Sequence, residues 1–562
     1  MRISCVIAFY IISIGNVLYC SISAYPEATP PIGKIRGSIL TSRLGKKIYS
    51  FRGVRYAEPP TERRRFQIAT PLADWNDVYD ASNEGPGCPN LDRTNFKFED
   101  CLRLNVYTGK LPSKDENVTR PVLVFFHPGG FYFFSGQSYL FGPQYLLDHD
   151  IVLVTVNFRL GSLGFISTGD SHAPGNLGLK DQVLALRWVR RNIAAFGGNP
   201  NSVTISGCSV GGLSVWLHMV SPMSKNLFHR AIVMSGSLLN AEPFPTQQID
   251  LARKQAKLLN CPSDNSEDML TCLRSRPVAN FTDTMSEFFE WNKDPILIWK
   301  PVVEPNIPGV ERFLPAQPVE LIRRGKFHKV PAIFGITRDE FGGVVVAFEN
   351  NTRAGNDMYR DMNENWYRIA PISFMYERNT SRSQRISEEL RKFYFEEEAI
   401  DSARRDGLAR IYEDSIIKFP QYRGAKLIAE NSPAPVYFYM FTYQGRFSFS
   451  MWNSTTPYGI EHQDDLQYLF YMEKIFPYFH EFTPEKRMVE LYTSMWASFM
   501  ENGEPVPNNN EAFKGVTWDR FVQNNYLEIN LNSSMKTGLY SDRMKKWENL
   551  FPLSLMSEVS RK

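Results

Sequence analysis

Apolar residues in this chain gather into short unbroken runs rather than alternating with polar ones. Pro121–Phe126, Ile151–Val156, Val203–Ile205, Ala231–Met234, Val330–Phe334 and Val436–Phe441 are all of this kind. A strand that is apolar at successive positions has both faces covered, so these runs predict a parallel sheet packed between helices. Between two of them, Asp181–Phe196 sets Val183, Leu186, Val189 and Ile193 at helical spacing, with Gly197 and Gly198 to stop it. Strand, helix, strand in succession is the α/β pattern. From about 345 to 430 the chain turns charged and helical, as in Ser387–Phe393, which predicts a lid or outer helical layer. No repeat, low-complexity linker or domain boundary breaks the sequence, although 562 residues with 43% hydrophobic content could fill several domains.

The N-terminal pattern is different. Arg2 precedes the apolar run Cys5–Ile12, which continues to about Cys20 and ends in the small residues Ser21, Ser23 and Ala24. Gly15 and Asn16 interrupt it, and it is shorter than a membrane span requires. The expectation is a secretory signal over 1–24, cut between Ser21 and Tyr25, and a soluble exported chain from 25 to 562. The C-terminal Met556–Lys562 carries neither a lipid-anchor tail nor a retention tetrapeptide. Of seven cysteines, Cys5 and Cys20 would leave with the signal. Cys88, Cys101, Cys208, Cys261 and Cys272 remain, an odd set that implies two bridges and one free thiol. Neighbours in sequence would pair Cys88 with Cys101 and Cys261 with Cys272, but four cysteines allow three connectivities. Asn117, Asn280, Asn350, Asn379, Asn453 and Asn532 head glycosylation sequons, consistent with an exported surface. A net charge of +3, with no basic block interleaved with aromatics, argues against a nucleic-acid partner. No Cys/His cluster has zinc-like spacing, so no metal or cofactor is expected.

Two segments carry chemistry. Gly207-Cys208-Ser209-Val210-Gly211 follows a strand run and precedes the helix-compatible Gly212–Leu217. A serine on such a strand-to-helix turn is exposed for attack, and the helix N-terminus behind it favours negative charge on the attacked oxygen. His127-Pro128-Gly129-Gly130-Phe131 follows the strand run 121–126 and suits a loop whose backbone N–H groups hold an oxyanion. Pro128 has no N–H, so the donors would be Gly129, Gly130 and Val210.

The chain resembles the type-B carboxylesterase/cholinesterase family of α/β-hydrolases from end to end. The resemblance rests on Phe51–Pro60, Glu99–Tyr107, Asn157–Gly161, Asn176–Gln182 and Asn192–Pro200, together with the run 176–212. It implies one α/β-hydrolase domain over 25–562: a central, mostly parallel β-sheet flanked by helices on both faces. It also supports the two neighbour bridges. Gly335–Glu340 matches the family's acid segment and Gly459–Leu466 its histidine segment, which makes Ser209, Glu340 and His462 the implied triad. Asp339 is the local rival to Glu340, and Asp464 and Asp465 would help build the pocket rim. Ser235 resembles a serine that supports the triad, and Arg65–Glu99 and Arg159–Asp181 resemble structural ion pairs. The implied activity is hydrolysis of a small-molecule, lipophilic carboxylic ester through an acyl-enzyme, as in secreted insect carboxylesterases. Two departures argue against a cationic substrate. Cys208 stands where the family often has Glu, and the segment between Cys88 and Cys101 has no Trp to stack on a quaternary ammonium. Cys208 is expected to be buried and inert. Juvenile hormone esterases usually carry Gln before the serine, so that narrower substrate ranks below a general ester. The rival reading is a non-catalytic relative, either an adhesion protein or one that binds esters without turnover. The full set of Ser, His and oxyanion glycines speaks against it.

Overall fold

The computed structural model describes residues 25–556 apart from 93–97, 114–118, 237, 350–351, 397, 451–456, 507–512 and 514. The expected signal over 1–24 and the sequons at Asn117, Asn350 and Asn453 lie outside the described residues.

Fourteen strands follow one another along the described chain. They are β1 (Glu27–Ala28), β2 (Ile35–Arg36), β3 (Ser38–Thr41), β4 (Lys47–Arg55), β5 (Tyr79–Asp80), β6 (Arg103–Thr108) and β7 (Arg120–Phe126), and then β8 (Val152–Val156), β9 (Gly198–Cys208), β10 (Arg230–Met234), β11 (Ala332–Thr337), β12 (Val436–Phe441), β13 (Asn525–Ile529) and β14 (Ser534–Thr537). Eleven of them form one sheet in the order β14-β13-β12-β11-β10-β9-β7-β8-β6-β4-β3, and β1, β2 and β5 form a small separate one. From β13 across to β8 every neighbour is parallel. β6, β4 and β3 at one edge and β14 at the other pair antiparallel. This is the α/β-hydrolase architecture.

The unbroken apolar runs form the middle of that sheet because both of its faces are covered. In β7, Val122, Val124 and Phe126 join one buried cluster, while Leu123 and Phe125 join the other. Helices Leu177–Asn192 and Val210–Val220 bring Leu179, Val183, Leu213 and Trp216 to the first cluster. Helix Lys486–Asn502 brings Met488, Tyr492 and Trp496 to the second. Each such fully buried side chain contributes roughly 1.5–3 kcal/mol. Trp216 also stacks on Phe334 of β11 with 4.5 Å between ring centroids and donates Nε1–H to Gln421 at 3.1 Å.

Three boundaries differ from those the periodicity predicts. The helix expected over 181–196 begins at Leu177 and ends at Asn192, followed by a tighter turn to Phe196. Its start is set by Asn176, left-handed at φ 58°, whose side chain closes onto both backbone polar groups of Val302. Gly198 opens β9 instead of ending the helix, and β9 extends well past Val203–Ile205; its first residues are polar and partly exposed, so they fall outside the apolar pattern. The charged stretch is a succession of helices that includes Trp366–Ser373, Ser381–Phe395, Arg405–Glu413 and Phe419–Asn431, with a π-helical turn at Asp414–Lys418.

Cross-links hold loops to this frame. Arg159 Nη2 lies 2.6 Å from Asp181, and Arg65 grips Glu99 through both Nε and Nη2. Sulfur–sulfur bonds join Cys88 to Cys101 and Cys261 to Cys272, with Cα separations of 4.9 and 5.6 Å. Among the described residues, no helix is long and apolar enough to cross a membrane.

Candidate active site

β8 lies on one side of β7 and β9 on the other, so the chain reverses its direction of travel across the sheet at β7. Loops at the carboxyl ends of such strands border a crevice. The segments after β7, β9, β11 and β12 carry Gly129–Gly130, Ser209, Glu340 and His462 respectively.

Ser209 stands between β9 and helix Val210–Val220 at φ 57° and ψ −124°. A non-glycine residue in this region stores of order 1–3 kcal/mol of strain. The neighbours must be glycines. A Cβ on Gly207 would lie 2.3 Å from the Gly211 carbonyl carbon, and one on Gly211 would lie 2.0 Å from the Phe126 carbonyl oxygen. The turn is locked by Ser209 N–H to Met234 O at 3.0 Å and Leu213 N–H to Ser209 O at 2.8 Å.

His462 Nδ1 lies 2.6 Å from Glu340 Oε2. Glu340 is fully buried, and its other oxygen accepts from Thr337 N–H at 2.8 Å and from the Ser235 hydroxyl. A carboxylate acceptor places the proton on Nδ1 and leaves Nε2 with its lone pair. Nε2 is buried and, among the described residues, has no hydrogen-bond partner. The imidazole is stacked on Phe341, 4.2 Å between centroids, which fixes its plane. Asp339 is directed elsewhere: it accepts from Ile460 N–H at 2.8 Å and from Arg338.

Opposite these groups, Gly129 and Gly130 adopt φ of 113° and 62°. The Gly129 carbonyl accepts from Tyr132 and Phe133, turning the loop back on itself. Among the described residues, no backbone carbonyl accepts from the amides of Gly129, Gly130 or Val210. His127 supports the loop from behind. Its Nδ1 donates to Pro128 O at 2.8 Å, its ring stacks on Phe158, and burial pushes it down to about 4, so it is neutral. The sequence motif contains His127 but does not reveal that role.

Gly129, Gly130, Ser209, Val210 and His462 all border one cavity of about 230 Å³. Its remaining walls are aromatic (Tyr132, Phe133, Phe134, Phe341) and aliphatic (Leu213, Ile296, Leu297, Met375, Ile416, Ile417), with Asn240 and Gln463 as polar points. Among the described residues, no Asp, Glu, Lys or Arg lines it. The walls at 240, 296–297, 375 and 416–417 were not found from sequence, because they are single residues, most of them apolar, delivered by distant segments. Only the helical character of 345–430 pointed toward part of them.

Asp464 and Asp465 do not form a pocket rim. Both are buried, Asp464 by bonds from Ser448, Phe449 N–H and Glu461 N–H, and Asp465 by the hydroxyls of Tyr439 and Tyr492. Their short side chains meet these donors beneath the histidine loop rather than at the cavity. Among the described residues, Cys208 has no disulfide partner, and it is fully buried in the second core cluster, where burial and the nearby carboxylates hold its thiol well above the usual range. Among the described residues, no group of three or more His, Cys, Asp or Glu side chains could hold a metal ion.

Comparison with known proteins gives a consistent answer. The chain is 36% identical to Esterase FE4 of Myzus persicae over 90% of its length and 89% of the relative's. It is 31% identical to a juvenile hormone esterase of Tribolium castaneum, covering 89% and 88% of the two chains. The crystal structure of juvenile hormone esterase from Manduca sexta, with OTFP covalently attached, superposes with a TM-score of 0.83 at 28% identity, covering 94% of this chain and 100% of that one. The model of the carboxylesterase family matches residues 25–547. With that match spanning nearly the whole chain and these esterases as its relatives, the chain belongs to the carboxylesterase family and is a carboxylesterase.

Proposed function

We propose that Ser209 attacks neutral, lipophilic carboxylic esters, with His462 as general base and Glu340 as its partner. The observation that carries this reading is the Glu340–His462 pair, whose unpartnered Nε2 borders the same cavity as a strained serine. His462 Nε2 takes the hydroxyl proton as Ser209 Oγ bonds to the ester carbonyl carbon. The carbonyl oxygen becomes an oxyanion that accepts from the Gly129, Gly130 and Val210 amides, each such donor being worth ~3–4 kcal/mol in the transition state. The imidazolium returns its proton to the departing alcohol oxygen, leaving an acyl-enzyme on Ser209. Water, deprotonated by His462, then attacks the acyl carbon, and the acid leaves as Ser209 regains its proton. Glu340 stays ionised throughout and stabilises the imidazolium. The covalent OTFP adduct in the Manduca sexta relative fits a fold that presents a nucleophile. The uncharged cavity favours neutral esters.

The same reading extends to the rest of the chain. Residues 1–24 direct export, 25–562 form one α/β-hydrolase unit, and Ser235 and Cys208 support the site without reacting. Exposed Asn379 and Asn532 and partly exposed Asn280 are accessible glycan acceptors. The test is labelling with a fluorophosphonate probe and mapping of the adduct, alongside hydrolysis of p-nitrophenyl esters. The adduct is expected on Ser209, and Ser209→Ala should lose label and about 10⁶-fold in kcat. A Ser209→Ala protein that still labels and turns over would refute the assignment.

A further inference from the structure

One buried carboxylate outside the triad takes no part in this chemistry. Asp294 is 8% exposed, and its Oδ2 accepts from Ser373 Oγ at 2.5 Å and from Tyr412 OH at 2.7 Å. Both donors are themselves buried. They come from separate helices, Trp366–Ser373 and Arg405–Glu413, while Asp294 sits in a closed turn bonded to Trp291 through the backbone in both directions. Among the described residues, no ion pair involves Asp294, and the side-chain donors to its carboxyl are these two neutral hydroxyls.

Each member of this cluster is succeeded along the chain by residues that share one destination. Two and three positions after Asp294 come Ile296 and Leu297, two after Ser373 comes Met375, and four and five after Tyr412 come Ile416 and Ile417. All five line the catalytic cavity and form most of its aliphatic wall. Met375 is held at φ 53°, a left-handed conformation that a side chain this large adopts only when its flanks are fixed. No single element forms the wall: Ile416 and Ile417 lie in the π-helical turn Asp414–Lys418, while Met375 and Ile296–Leu297 come from connecting segments. It is assembled from three segments: one carries the Asp294 Oδ2 oxygen, and the other two each donate a hydroxyl to it.

We propose that Asp294 is a positioning residue that ties these three segments into the aliphatic wall and thereby sets which ester chains the carboxylesterase accepts. The inference rests on the reading that the cavity beside Ser209 is the substrate site. Asp294 touches neither substrate nor triad. It acts through Ile296, Leu297, Met375, Ile416 and Ile417, whose relative placement determines how an apolar chain packs. A well-packed methylene is worth roughly 10- to 200-fold in discrimination, so slack in this wall is read most strongly by long chains.

The experiment compares p-nitrophenyl esters from acetate to decanoate on the wild type, Asp294→Ala and Asp294→Asn. In Asp294→Ala, KM for decanoate relative to acetate should rise about tenfold, with kcat changing by less than about threefold, the signature of lost binding rather than lost chemistry. Asp294→Asn keeps an oxygen that can accept from both hydroxyls, and it should restore the wild-type profile. Ser373→Ala and Tyr412→Phe each delete one donor and should give intermediate profiles, which keeps the test decisive should Asp294→Ala fold poorly. An Asp294→Ala profile parallel to wild type would overturn the inference, as would an Asp294→Asn protein that behaves like Asp294→Ala. Fluorophosphonate labelling of the same proteins separates the two ideas. Unchanged labelling of Ser209 with an unchanged chain-length profile counts against Asp294 alone, whereas loss of labelling in the wild type counts against the serine assignment and leaves the profile comparison standing.

Discussion

At single residues, conformation and desolvation set the properties of this site. Gly129 at φ 113° is the clearest case, because a Cβ there would lie 2.2 Å from the Phe133 carbonyl oxygen. Gly129→Ala must therefore displace the loop that presents two of the three proposed oxyanion donors. The expected loss is about 10²–10³ in kcat with little change in KM, since the donors act on the transition state. Steady-state kinetics beside a thermal melt would distinguish this from unfolding. Asp294 illustrates desolvation. Burial, outweighing the two hydroxyl bonds, pushes its carboxyl up to about 6 from an ordinary 3.8. Between those pH values the folded chain holds a proton that the unfolded chain has released. Its contribution to stability therefore falls as pH rises through roughly 4 to 6, leaving a penalty of about 3 kcal/mol above that window. Asp294→Asn removes the charge and keeps the acceptor. It should melt above wild type at pH 7.5, with the gap closing as pH approaches 4. A gap independent of pH would show that the carboxyl is not the source.

Among elements, the cross-links decide how loops reach the sheet. Asp181 opens onto Arg159 from helix Leu177–Asn192, and burial raises its carboxyl even against the guanidinium beside it. Removing the cation would strand a fully buried acid, so Arg159→Ala should destabilise by about 3–5 kcal/mol in urea denaturation, while Arg159→Ala/Asp181→Leu should recover much of that loss. The parallel strands and the helix before β9 were legible in the sequence because double-sided burial leaves continuous apolar runs. β4 was not, since Lys47, Arg52 and Arg55 sit within it on an antiparallel edge where burial is uneven. β13, though parallel to β12, and β14 escaped because they are short and only partly buried at the far edge of the sheet. Ser209 stood out because its glycine-flanked segment meets the end of β9, whereas Glu340 and His462 were assigned through the family resemblance, His462 lying well beyond the end of β12. Asp464 and Asp465 were misplaced because proximity in sequence to His462 says nothing of which side of the loop a carboxyl turns toward.

For the whole molecule, the frame and the specificity surface come from different parts of the chain. The sheet with its two cores positions Ser209, Glu340, His462 and the glycine loop, whereas the helices between β11 and β12, with the segment around 294–297, supply most of the cavity's aliphatic wall, the proposed substrate surface. That wall carries no formal charge, and its rings are Phe and Tyr rather than Trp. A quaternary ammonium entering it would shed its hydration at several kcal/mol and find no carboxylate. Cation–π contact with the available rings would return about 0.5–2 kcal/mol. Desolvation wins, and the net charge of +3 adds no attraction at long range. The expected outcome is that 3,3-dimethylbutyl acetate is hydrolysed with a kcat/KM at least about tenfold above that of acetylcholine, its charged isostere, a difference of about 1.4 kcal/mol. The ratio should be insensitive to salt between low and physiological ionic strength, because no fixed charge in the cavity is there to be screened. Equal rates, or a choline ester rate that falls steeply with salt, would mean that an anionic group reaches the cavity and that its neutral wall does not choose the substrate.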